Sequence, residues 1–218
     1  SWPDSAGRRA TPDRPRPKDM ARVVLITGGG RSGKSSYAQQ LAEAHPGPRL
    51  FLATAVSFDE ELKERIERHR RSRQRASWTT VEEPVDLAGA IRRSARFPVV
   101  LVDCLTMWVN NLMWDSSAGP AETGHGPTED EIAARSEELL ACCRGHEGTV
   151  ILVTNEVGLG IIPDNPAARL CRDLLGRCNQ IIATQADAVV FMISGLPLEL
   201  KGSVHPDTPC EGMKRDSP

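Results

Sequence analysis

The stretch Gly28-Gly29-Gly30-Arg31-Ser32-Gly33-Lys34-Ser35 decides the fold. It fits the phosphate-binding pattern G-x-x-x-x-G-K-[ST] at every fixed position. Ahead of it, Val23-Val24-Leu25-Ile26-Thr27 is apolar and β-branched and reads as a buried strand. Behind it, Ser36 to Glu43 is a helix-forming run. Strand, glycine loop and helix in that order aim successive backbone N–H groups and a helix N-terminus at a polyphosphate. In this arrangement Lys34 reaches the β- and γ-phosphates and the Ser35 hydroxyl holds Mg²⁺. The pattern specifies a nucleoside triphosphate and leaves its reaction open.

Outward from the loop, apolar strands alternate with helices. Arg49 to Ala55 reads as a second strand, Phe97 to Asp103 as a third, Thr149 to Thr154 as a fourth and Ala188 to Ser194 as a fifth. Phe58 to Arg73 is charged, with Phe58, Leu62 and Ile66 spaced by four, which predicts a surface helix. Val81 to Ala95 predicts another, with Asp86 near its start. Leu105 to Trp114 reads as helical or irregular. Thr128-Glu129-Asp130-Glu131 has the spacing of a capping box and predicts a helix running to about Cys143. Asn155 to Asn165 is a glycine-punctuated loop, and Ala167 to Asp187 a long helix. The expected class is therefore α/β: a P-loop NTPase of the RecA-like kind, a three-layer sandwich whose mostly parallel sheet carries helices on both faces. No internal repeat and no second domain boundary are evident. The expected division is a disordered extension over 1–20, one domain over 21–201 and a disordered tail over 202–218.

The chain has 218 residues, 39% of them hydrophobic, and a formal net charge of −2, enough for one α/β domain with a real core. Near-neutral charge gives no global reason to expect nucleic acid or an anionic membrane as partner. No apolar run approaches the ~20 residues of a membrane span. Ser1 to Lys18 is rich in Pro, Arg and Asp and has no apolar core of a secretory signal. Asp115 to Thr128 is rich in Gly, Pro, Ser and Thr and reads as a mobile loop. The six cysteines form no C-x-x-C pair and no zinc spacing, so reduced, mostly buried thiols and a cytoplasmic location are expected.

Several polar residues stand where chemistry is expected. Asp103 ends the apolar strand Val-Val-Leu-Val-Asp, the Walker B position, where a carboxylate completes a Mg²⁺ shell directly or through water. Thr54 and Asn155 follow two further strands, and ligands in open α/β sheets sit beyond the carboxyl ends of strands. For Asn155 and Glu156, turn and cap duty is the competing reading. His69 lies where seven of the eleven residues from Arg65 to Arg75 are Arg or His. Two readings stand side by side: a solvated basic face, or an anion site in which arginines keep a reactive imidazole neutral. A nucleic-acid patch is a third, without aromatic support. No Asn-Lys-x-Asp guanine-reading motif is present, which disfavours a standard GTPase.

Taken together, these segments resemble the bifunctional adenosylcobinamide kinase / adenosylcobinamide-phosphate guanylyltransferase family of cobalamin biosynthesis. The likeness spans about residues 22 to 201. It is carried by the phosphate loop, Ala53-Thr54-Ala55, Arg65-Ile66 with His69, and Trp78 to Glu82. Asp103 to Thr106, Asn110 to Leu112, Val153 to Pro163 and Arg172 to Gln180 continue it. The resemblance implies two reactions. ATP or GTP phosphorylates the aminopropanol hydroxyl of adenosylcobinamide. A histidine then takes GMP from GTP and passes it to adenosylcobinamide phosphate. It implies that His69 is that nucleophile and that Arg70, Arg71, Ser72 and Arg73 hold nucleotide phosphate. It further implies nucleotide contacts at Ala53, Thr54, Ala55, Glu82 and Asp103. It also implies a homo-oligomer, a trimer. The family often has Gly in the segment of Arg71-Ser72, and its Walker B residue can be Glu. The alternative is another P-loop small-molecule kinase without guanylyltransferase activity.

Overall fold

The computed structural model describes residues 22–55, 78–114 and 126–204. Their strands are β1 (Arg22–Gly28), β2 (Arg49–Ala53), β3 (Trp78–Glu82), β4 (Val99–Asp103), β5 (Thr149–Val153), β6 (Ala188–Ile193) and β7 (Leu196–Lys201). Their α-helices are α1 (Lys34–Glu43), α2 (Leu87–Arg92), α3 (Leu105–Trp114), α4 (Glu129–Arg144) and α5 (Pro166–Gln185). The strands form one sheet in the order β3-β2-β4-β5-β1-β6-β7. Every pairing is parallel except β6 with β7.

The core follows from the period of two along each strand. Val23, Leu25, Val100, Val102, Val150 and Leu152 face one way and pack against Leu87, Trp108, Leu139 and Leu174 of α2, α3, α4 and α5. Val24, Ile26, Leu101, Ile151 and Val190 face the other way and meet Ala38, Leu41 and Ala42 of α1. Helices thus cover both faces, and the expected three layers are present. Parallel strands buried on both sides need continuous apolar runs, which is why β1, β4 and β5 were conspicuous in sequence.

Two helix starts are capped by side chains, the first as its sequence signal implied. Thr128 accepts from the Glu131 amide at 3.2 Å while Glu131 accepts from the Thr128 amide at 2.7 Å, a complete capping box at the start of α4. Asn165 caps α5 by accepting from the amides of Ala167 and Ala168.

The helix expected from Val81 is a correction. Trp78 to Glu82 is instead an edge strand paired with β2, and the helix begins only at Leu87. Pro84 disfavours helical backbone at Glu83, and the Asp86 side chain caps the new start by accepting from Gly89 N at 2.8 Å. A second strand, β7, was not anticipated at all. Beyond it Val204 is buried in the α1-side core. The helix expected over 58–73, most of the loop over 115–128, and the segments 1–21 and 205–218 lie outside the described residues.

Candidate functional site

The register of the parallel sheet assembles the site. Glu82 pairs with Ala53, Ala53 with Asp103, and Asp103 with Val153. Val153 in turn pairs with Ile26, two residues before the phosphate loop. Glu82, Ala53, Asp103 and the loop from Gly28 therefore share the carboxyl edge of one sheet, where α/β folds bind their ligands.

The loop has the backbone a phosphate cradle requires. Gly28 and Gly33 sit at φ 147° and 96°, and Arg31 adopts φ 58°. Gly33 is the N-cap of α1, and among the described residues no side chain caps that end. The N-terminal end of such a helix carries partial positive charge, which favours an anion. Lys34 is only 7% exposed; its ammonium donates to Gly29 O and, at 3.5 Å, to Ser32 Oγ. The turn between β6 and β7 braces the loop from outside, with Gly195 N donating to Ser32 O at 3.0 Å. That brace depends on β7, which the sequence reading missed.

Thr54 is fully buried, and its polar atoms are spent within the protein. The hydroxyl donates to Cys104 O at 2.7 Å and accepts from Cys104 N at 2.8 Å. Its carbonyl accepts from Asn111 Nδ2 at 2.8 Å and its amide donates to Asp103 O at 3.2 Å. Thr54 fixes the chain just after Asp103. Burial, reinforced by the neighbouring Asp103 carboxylate, pushes the Cys104 thiol up to about 11, so it stays protonated.

Ser35, half-buried in the first turn of α1, and Asp103 offer a hydroxyl and a carboxylate. Both are hard oxygen donors of the kind Mg²⁺ accepts. Among the described residues no group of three His, Cys, Asp or Glu side chains could hold a metal ion by itself. The donor set fits an ion that shares its shell with nucleotide phosphates.

Sequence left Asn155 and Glu156 between turn duty and site duty. Asn155 donates through its amide N and Nδ2 to Thr106 Oγ1, at 3.1 and 2.9 Å. Glu156 Oε1 accepts from Thr27 Oγ1 at 2.7 Å, and Glu156 N donates to Gly28 O at 3.1 Å. Arg172 forms an ion pair with Asp173 at 2.8 Å. His69 and Arg70 to Arg73 lie outside the described residues. Among the described residues no helix is long and apolar enough to cross a membrane.

Comparison with known proteins bears on the family of the chain. The family model for cobinamide kinase / cobinamide phosphate guanyltransferase matches residues 24–200. The bifunctional adenosylcobalamin biosynthesis protein CobU of Escherichia coli is 38% identical over 182 residues, covering 82% of this chain and 99% of that protein. The corresponding CobP of Pseudomonas aeruginosa is 38% identical, covering 82% and 96%. CobU of Salmonella typhimurium is 37% identical, covering 82% and 99%. Among solved structures, a KaiC-like protein of Pyrococcus horikoshii OT3 has a TM-score of 0.46 at 16% identity, over 79% of this chain and 72% of that one.

Proposed function

Because this chain belongs to the cobinamide kinase / cobinamide phosphate guanyltransferase family, we propose that it catalyses both transfers on an adenosylated corrinoid. In the first, the aminopropanol hydroxyl oxygen of adenosylcobinamide attacks the γ-phosphorus of ATP or GTP. The hydroxyl proton is lost, and the nucleoside diphosphate leaves. In the second, a nitrogen of His69 attacks the α-phosphorus of GTP. An N–P bond forms, the Pα–O bond breaks and pyrophosphate leaves. The phosphate of adenosylcobinamide phosphate then displaces His69 and takes the GMP, giving adenosyl-GDP-cobinamide. A covalent intermediate of this kind divides one hard transfer into two easier ones.

The observation that carries the proposal is the sheet register, which lines up the phosphate loop, Asp103, Ala53 and Glu82 on one edge. The roles we propose follow from it. Gly28 to Ser35 hold the phosphates, with Lys34 offsetting charge on the β- and γ-oxygens. Ser35 and Asp103 hold Mg²⁺, which supplies Lewis-acid stabilisation of the phosphate oxygens when bound. Within Ala53 to Ala55 the nucleotide contact falls to Ala53 and Ala55, since Thr54 is committed to Cys104. Glu82 completes the nucleotide site, and Arg70, Arg71, Ser72 and Arg73 bring cationic donors with His69. The homotrimer and the cytoplasmic location expected above belong to the same proposal.

Incubation with α-labelled GTP tests the reading. Acid-labile label should appear on the wild type and be absent from His69→Ala. A wild type that phosphorylates a small molecule yet never takes label would favour a simple P-loop kinase instead.

A further inference from the structure

The roles above leave unused a buried polar network centred on Asn179, in the middle of α5. Asn179 is 7% exposed, and Thr154 and Thr27 are 0% and 4% exposed. The Asn179 amide is fully employed. Its Oδ1 accepts from Thr154 Oγ1 at 2.7 Å; its Nδ2 donates to Asn155 O at 3.0 Å and to Glu156 Oε1 at 3.3 Å. Glu156 passes the linkage to β1 through Thr27 Oγ1 and Gly28 O. Asn155 passes it to Thr106, three residues beyond Asp103.

Position 179 lies on the face of α5 that buries Leu174, Leu175, Cys178, Ile181 and Ile182. An apolar residue would pack there without desolvating an amide. A fully satisfied polar network in such a place rigidifies the elements it joins. What it joins is specific. β5 is interposed between β1 and β4, so the turn Thr154–Glu156 spans from the start of the phosphate loop to the strand end bearing Asp103.

We propose that Asn179, acting through Glu156, is a positioning residue for both phosphorus transfers. It sets the phosphate loop at a fixed height against the Asp103 strand end, so that the bound triphosphate lies in line with its attacking group. This rests on the reading of the chain as kinase and guanylyltransferase. Nucleotide affinity comes from amides within the loop and survives a small tilt of it. Alignment does not, and an error of about 1 Å costs roughly 100-fold in rate. The signature is therefore a fall in kcat with little change in nucleotide KM.

Asn179→Asp is the sharp variant. It keeps an acceptor for Thr154, removes both donors and sets a carboxylate against Glu156. Single-turnover labelling by GTP and steady-state cobinamide phosphorylation should both slow by about 10- to 100-fold, with nucleotide KM within about threefold. Glu156→Gln added to Asn179→Asp restores a donor between the two side chains. The double variant should be clearly faster than Asn179→Asp, and short of Glu156→Gln alone because the bond to Asn155 O stays lost. Should Asn179→Asp fail to fold by circular dichroism, Asn179→Leu, of similar volume and with no donor, takes its place, and the same fall in kcat at little-changed nucleotide KM is expected. Unchanged kcat, raised KM at constant kcat, or no recovery in the double variant overturns the proposal. A wild type that performs neither transfer overturns the functional reading instead.

Discussion

Replacing Gly28 by alanine tests whether the start of the phosphate loop is fixed by the sheet itself. A Cβ at this position lies 2.4 Å from Met192 O and 3.0 Å from Ser32 Oγ. A carbon–oxygen contact relaxes at about 3.3 Å or more, so the shortfall is close to an ångström. Met192 O is backbone of β6 and pairs with Gly28 in the parallel ladder, so it has no rotamer by which to escape. The φ of 147° adds backbone strain of about 1–3 kcal/mol for a residue with a side chain. Overpacking of a dense interior costs a similar ~1–3 kcal/mol. Together about 2–6 kcal/mol is lost. At roughly 2–4 °C per kcal/mol for a domain of this size, Tm falls by about 10 °C. Gly30 supplies the contrast within the same loop: nothing stands within 4 Å of its added Cβ. Gly30→Ala should stay within about 0.5 kcal/mol of the wild type. Melting curves by far-UV circular dichroism compare the three proteins. A Gly28→Ala protein melting within 2 °C of the wild type, or a Gly30→Ala protein melting as low as Gly28→Ala, would refute the reasoning.

Burial pushes the Cys104 and Cys178 thiols up to about 11. At pH 8 in the native protein both should alkylate with iodoacetamide roughly 100-fold more slowly than in the urea-unfolded chain, as peptide mapping would show. The unfolded chain ionises these thiols first, so the stability they contribute is complete below about pH 9 and is lost as pH rises towards 11; alkaline melts should fall through that window. Asn165→Ala removes the side-chain acceptor of the Ala167 and Ala168 amides, costing about 1 kcal/mol and lowering Tm by about 2–4 °C.

The buried strands were legible because burial on both faces leaves an unbroken apolar run. The edge strands lack that constraint. Every residue from Thr79 to Glu82 is exposed, and β3 exists because its backbone pairs with β2. Its last two residues, Val81 and Glu82, were absorbed into a helix whose true start is marked by Pro84 and Asp86. All six residues of β7 are likewise exposed. Its sequence Leu-Pro-Leu-Glu-Leu-Lys does alternate, and a proline in an alternating run signals an edge strand. That signal was present and unused, and with it went the Gly195 brace on the phosphate loop.

The site divides along a similar physical line. Gly28 to Ser35 and Asp103 could be proposed from sequence because the roles proposed for them fall on residues adjacent in sequence, at fixed spacing and at the end of a strand. Asn179 is separated from Thr27 by the whole of β2 to β5, and no spacing rule joins a mid-helix amide to the mouth of a distant strand. Only the spatial order of the sheet does so. With β5 lying between β1 and β4, the residues that follow it must lie between the phosphate loop and the Asp103 strand end. Turn duty and site duty for Asn155 and Glu156 are therefore one role: the bonds that close the turn are those that hold the two halves of the site apart at a set distance.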